Sequence, residues 1–110
     1  MTATRNPPTS RPHDAAVVEL LKADPDFANE YLAAALEEAE QPGGQAALLG
    51  ALRHVAEAQG MATVAQRAGI PRETLYRALG PKGNPTVKTL LAVLGAAGLR
   101  VAVTRDSAHA

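Results

Sequence analysis

The chain has 110 residues, 46% of them hydrophobic and 20% charged, and contains no cysteine. That length supports one domain with a single modest core. Without thiols there can be no disulfides and no thiolate metal sites, which fits a reducing compartment. The formal net charge is zero, which would speak against a nucleic-acid partner if the charges were evenly spread. They are not. Residues 1–52 hold three basic groups against eight acidic ones, a balance of minus five. Residues 53–110 hold eight basic against three acidic, a balance of plus five. Such asymmetry points to two different faces or partners. No apolar run reaches membrane-spanning length and the start lacks a signal-peptide pattern, so a soluble, cytoplasmic protein is expected.

Residues 1–13 carry three prolines and no apolar periodicity, and are expected to form a disordered tail. Arg5 and Arg11 in that tail offer, at most, a minor-groove arm. Asp14 is placed to cap a short helix through Lys22, with Val17, Val18, Leu20 and Leu21 as its apolar content. Asp24-Pro25 reads as a fresh helix start. Phe27, Ala28, Tyr31, Leu32, Ala35, Leu36 and Ala39 then recur at helical spacing, which predicts an amphipathic helix to Glu40. Its other face carries Glu30, Glu37 and Glu38 among further carboxylates. Carboxylates near a helix C-terminus oppose its dipole, so they do not serve the helix. They are either a solvated face or a docking surface for a basic partner.

Pro42-Gly43-Gly44 reads as an internal linker after this acidic extension over 14–41. A helix from Gln45 to Gln59 is expected next, with Leu48, Leu49, Leu52, Val55 and Ala56 inward and His54 a partly exposed boundary residue. Gly60 closes it. Met61 to Leu79 then reads as two short helices broken at Gly69, with Ile70 plugging the angle between them and the small Ala65 at their crossing. Glycine suits the left-handed position that ends one helix, and Pro71 suits the first turn of the next. Two helices joined by a short glycine turn make a helix-turn-helix. On the outward face of the second stand Arg72, Glu73, Thr74, Tyr76 and Arg77. An inert helical hairpin would carry a merely solvated face, whereas two arginines flanking Thr74 and Tyr76 suit phosphate and base-edge contact.

A loop of turn formers from Gly80 to Pro85 includes Lys82 and Asn84. Thr86 is expected to cap a last helix whose apolar face is Val87, Leu90, Leu91 and Leu94. Leu99 to Thr104 alternates and is β-branched, which predicts a short C-terminal strand. A lone strand needs a partner; a second copy pairing through Leu99, Val101 and Val103 across a two-fold axis is an economical one. Residues 105–110 are expected to fray. Catalysis finds no support: Ser10 and Ser107 lie near the ends, His13, His54 and His109 are far apart, and no phosphate loop or metal-ligand cluster occurs. A non-enzyme without cofactor or metal is expected.

The order of helices resembles the Cro/repressor class, an all-α fold of five to six helices, here with an N-terminal helical extension and a helix-turn-helix domain over 45–104. Over Asp14 to Val103 the chain is similar to the addiction-module antidotes, the HigA-like antitoxins. The stretches that carry the likeness are FANEYLAAALEEA, ALLGALRHVAEAQGMATVAQRAGIPRETLYRALGPKGNPT and TLLAVLGAAGLRVAV. The resemblance implies an antitoxin that binds a RelE-like toxin ribonuclease and represses its own operon as a dimer on double-stranded operator DNA. It assigns Pro71, Arg72, Glu73 and Arg77 to the major groove and Thr74 and Tyr76 to phosphate or sugar. Gln66 would support the recognition helix. Lys82, Asn84 and the amides that follow Thr86 would hold phosphate. One departure is Met61, which stands where many Cro-like domains have a polar, phosphate-contacting residue. A stand-alone repressor without a toxin is the alternative.

Overall fold

The computed structural model describes residues 11–106, which form six helices and, among those residues, no strand. The expected tail at 1–10, with Arg5, and the fraying end at 107–110 lie outside the described residues. Residues 11–13, expected in that tail, instead open the first helix.

Helix α1 (Arg11–Ala23) turns Leu21 into the core and Val17 against it, while Leu20 stays half exposed. Asp14 lies in its first turn rather than at a cap, where a carboxylate still favours the helix dipole. Helix α2 (Phe27–Glu37) is entered through main-chain turns, Phe27 N–H to Asp24 O at 3.0 Å and Ala28 N–H to Pro25 O at 3.1 Å. No side chain caps it, so the cap expected of Asp24 is not made. The helix ends three residues short of Glu40. It buries Ala28 and Leu32 but leaves Leu36, expected inward, 60% exposed.

The Pro42-Gly43-Gly44 stretch is a tight turn, not a loose linker. Gly43 holds φ +78°, and a Cβ on Gly44 would overlap the Glu38 carbonyl oxygen. That turn delivers α3 (Gly44–Gln59), the helix against which α1, α2 and α4 all pack. Being covered on several sides, α3 buries Leu49, Ala51, Leu52, Val55 and Ala56. Its His54 is only 3% exposed, so the expected boundary position is wrong.

Helices α4 (Met61–Ala68) and α5 (Arg72–Ala78) follow, and α6 (Val87–Ala96) packs on α4. The apolar face expected for α6 is rotated in the structure. Leu90 and Leu94 do pack on the core, but Val93 and Ala97 complete the buried stripe, and Val87 and Leu91 face outward. Both sets fit a helical repeat, and only tertiary packing chooses between them.

The predicted strand is also corrected. Gly98, at φ +83°, ends α6 by a Schellman closure in which Leu99 N–H donates to Leu94 O at 2.8 Å. Leu99 thereby packs on the core, but beyond it the chain is exposed and unpaired as a ladder, with Val101 58% and Val103 94% accessible. Alternation alone does not make a strand. Backbone pairing does, and the described residues supply no second strand.

Candidate nucleic-acid interface

The turn between α4 and α5 is built as its residues dictate. Gly69 takes φ +76°, its N–H donates to Gln66 O at 3.2 Å, and Ile70 N–H donates to Ala65 O at 3.1 Å. This closure stops α4 and tucks Ile70 against the core. Pro71 sits at the N-cap of α5, one position earlier than expected, and its carbonyl accepts Leu75 N–H at 3.1 Å. Val64, Ala65, Leu75 and Leu79 are all but inaccessible; they join the common core in which α5 packs on α4 and α4 on α3 and α6. The orientation of α5 is therefore set by four buried side chains, not by its short length.

What this leaves outside is a polar and cationic surface. Pro71, Arg72, Glu73, Tyr76 and Arg77 are exposed on α5, and Gln66 is exposed on α4. Thr74 is half buried and less available than sequence implied. Lys82, Asn84 and Thr86 are exposed on the following loop. Among the described residues, Arg72, Arg77 and Lys82 form no ion pair, so their charge is free for a partner. Thr86 is occupied differently. Its Oγ1 accepts Thr89 N–H at 3.1 Å and caps α6, which leaves the Val87 and Lys88 amides as the open donors of that helix end.

The acidic residues Glu30 and Glu37 stand exposed on α2, with Glu38 at its C-cap. They belong to the layer on the α1–α2 side of α3, apart from the α5 face. The two regions come near each other at a cleft lined in part by Glu40, Gln41, Asn84 and Pro85.

A part-buried polar network on that first layer, centred on the buried His54, escaped sequence reasoning. His54 Nε2 lies 2.7 Å from Asp14 Oδ1, and His54 Nδ1 lies 2.7 Å from the Tyr31 hydroxyl. An ionised carboxylate can only accept, so Nε2–H donates to Asp14, and in the neutral ring the Tyr31 hydroxyl donates to Nδ1. Arg53 adds looser ion pairs, 3.8 Å to Asp14 and 3.9 Å to Glu57. The order hydroxyl, imidazole, carboxylate has the outline of a nucleophile relay. Its electrostatics run the other way: burial, and then the Asp14 charge, push the Tyr31 hydroxyl pKa up. Tyr31 is thus kept protonated as a donor, and the trio joins α1, α2 and α3 rather than activating an oxygen. Among the described residues no group of three or more metal-ligating side chains is placed to hold a metal. No described helix is long and apolar enough to cross a membrane.

No solved structure matches the chain. An uncharacterized protein of Haemophilus influenzae is 42% identical over 59 residues, which cover 54% of this chain and 61% of the relative. The match thus spans about three fifths of that relative's length. A family model described as "Probable addiction module antidote protein" matches residues 10–105. That span takes in all six helices, from the acidic layer to the last exposed valine, and by it the chain belongs to the family of probable addiction module antidote proteins.

Proposed function

We propose that this chain is the antitoxin of a type II toxin–antitoxin module, acting in the cytoplasm. In this reading it binds and neutralises a RelE-like toxin ribonuclease. As a homodimer it also represses its own operon by sequence-specific binding of double-stranded DNA. The observation that carries the DNA half is the exposed, unpaired set of Arg72, Arg77 and Lys82 on and beside a helix anchored by buried Leu75 and Leu79. A dimer would lay two copies of α5 in successive major grooves, with half-sites centred roughly 34–36 Å apart. Arg72, Glu73 and Arg77 would read base edges, Pro71 would stand beside them, and Gln66, Thr74, Lys82 and Asn84 would fix the backbone. The exposed Val101 and Val103, with Leu99 as their anchor, support pairing between subunits.

The toxin half is supported by the family and by charge. A ribonuclease must hold RNA with cationic residues, and Glu30, Glu37 and Glu38 present the complementary sign. Attraction of this kind speeds encounter and makes it sensitive to salt. The test is tagged co-expression with the neighbouring small open reading frame, followed by light scattering and a growth-rescue assay. A complex of defined mass that rescues growth supports the reading. Charge reversal at Glu30, Glu37 and Glu38 should weaken that complex, and an unchanged complex would rule out this face as the dock. A dimer that binds its promoter but captures no toxin would leave the stand-alone repressor.

A further inference from the structure

Among the exposed side chains of α5, one is out of character. Tyr76 is 47% exposed on a surface otherwise made of charged groups. It lines an open cleft together with Glu73, Arg77, Gly80, Pro81 and Lys82. Tyr76, Gly80 and Pro81 give this cleft carbon surface, and Pro81 has no N–H to offer. Arg77 and Lys82 also line the cleft and suit the charged surroundings of a duplex, but the greater part of its exposed surface is carbon, which an apolar group fits better than a bare anionic oxygen. Of the four bases, only thymine puts a methyl group, on C5, on the major-groove edge.

We propose that this cleft receives the 5-methyl group of a thymine, with Tyr76 and Pro81 as the contacting surfaces. Tyr76 then specifies sequence, and the phosphate or sugar role implied by resemblance passes to its neighbours. Arg77 is left free to donate to an adjacent guanine, and Glu73 to accept from a cytosine amino group. The inference rests on the proposed DNA binding.

The experiment footprints the full chain on the DNA upstream of its own gene. Each thymine in the protected segment is then replaced singly by deoxyuridine, which removes only the methyl. Affinity is titrated for the wild type, Tyr76→Phe and Tyr76→Ala. One thymine per half-site should respond with a loss of about fourfold, the fold-change that corresponds to burying one methyl group. Tyr76→Phe should keep that response, because the ring and not the hydroxyl makes the contact. Tyr76→Ala should bind thymine and uracil alike at that position. Protection without any uracil-sensitive thymine, or full sensitivity in Tyr76→Ala, overturns the assignment while leaving DNA binding intact. No protected segment at all overturns DNA binding, and the assignment with it. Should Tyr76→Ala fail to fold, Tyr76→Gln, which removes the ring at a helix-compatible position, takes its place in the scan.

Discussion

Replacing His54 by phenylalanine keeps a ring of similar size in the core and removes both of its hydrogen bonds. The bond to Tyr31 is between neutral groups, for which a net loss of about 1 kcal/mol is usual, and the bond to Asp14 involves a charge, about 1.5–3 kcal/mol. Two features reduce the sum. Asp14 has a side chain 20% exposed and keeps Arg53 at 3.8 Å, and Tyr31 is only partly buried, so water and the guanidinium recover part of the loss. The expected destabilisation is about 2–3 kcal/mol, or a fall in Tm of roughly 10 °C for a domain of this size. Urea unfolding followed by far-UV circular dichroism measures it. A cycle of Asp14→Asn with His54→Phe then separates pairing from packing. A loss below about 0.5 kcal/mol, or single effects that simply add, would refute the account of this trio as the clasp of the first layer. Because the trio contributes no side chain to the α5 surface, the variant should still bind DNA at temperatures where it is folded.

Arg77→Ala should relax sequence preference by about 1–3 kcal/mol at one base position, whereas Lys82→Ala should weaken all sequences alike and lower the salt slope by about one; filter binding across a salt series on operator and random DNA distinguishes them. Gly83→Ala would drive a Cβ into the Ala78 carbonyl oxygen. It should displace the loop that carries Lys82 and Asn84, and so reduce DNA affinity while toxin capture in a pull-down persists. The raised Tyr31 pKa means that the folded state holds its proton more tightly than the unfolded chain. Its stabilising contribution is therefore complete below pH 10 and is lost as pH rises through the folded value. Tyr31→Phe should lack that alkaline loss in urea unfolding at a series of pH values, and an unchanged pH profile would contradict the shift.

The pair of short helices around Gly69 was legible because its signals are local. Gly69 demanded a left-handed backbone, Ile70 an apolar seat beside it, and Thr86 a helix start, and each needed only its near neighbours to act. His54 was illegible for the opposite reason. Its partners lie 40 and 23 residues away, and nothing within a turn of it hints that a polar ring will be buried. Asp14 looked like a cap because caps are the usual local use of such a residue, and a distant imidazole took its carboxylate instead. For α6, Leu90 and Leu94 belong to both candidate stripes, so the pattern could not choose between Leu91 and Val93. The alternation of Leu99 to Thr104 was real, but a strand is a relation between two segments, and one segment cannot announce its partner. The candidate interface followed the same division. Its residues were named from the sequence, while the apolar character of the cleft at Tyr76 needed the position of Pro81.

Helix α3 is a party wall. The acidic layer and the layer that begins with α4 lean on the same sixteen residues, and removing α1 or α2 would strip cover from that helix, including His54. A cut in the tight turn before Gly44 would not release α4 to α6 as an independent half; it would unroof the support on which they rest. The chain should therefore melt in one transition and be destroyed as one object. A cell that removes this protein would surrender whatever both faces were holding at the same moment.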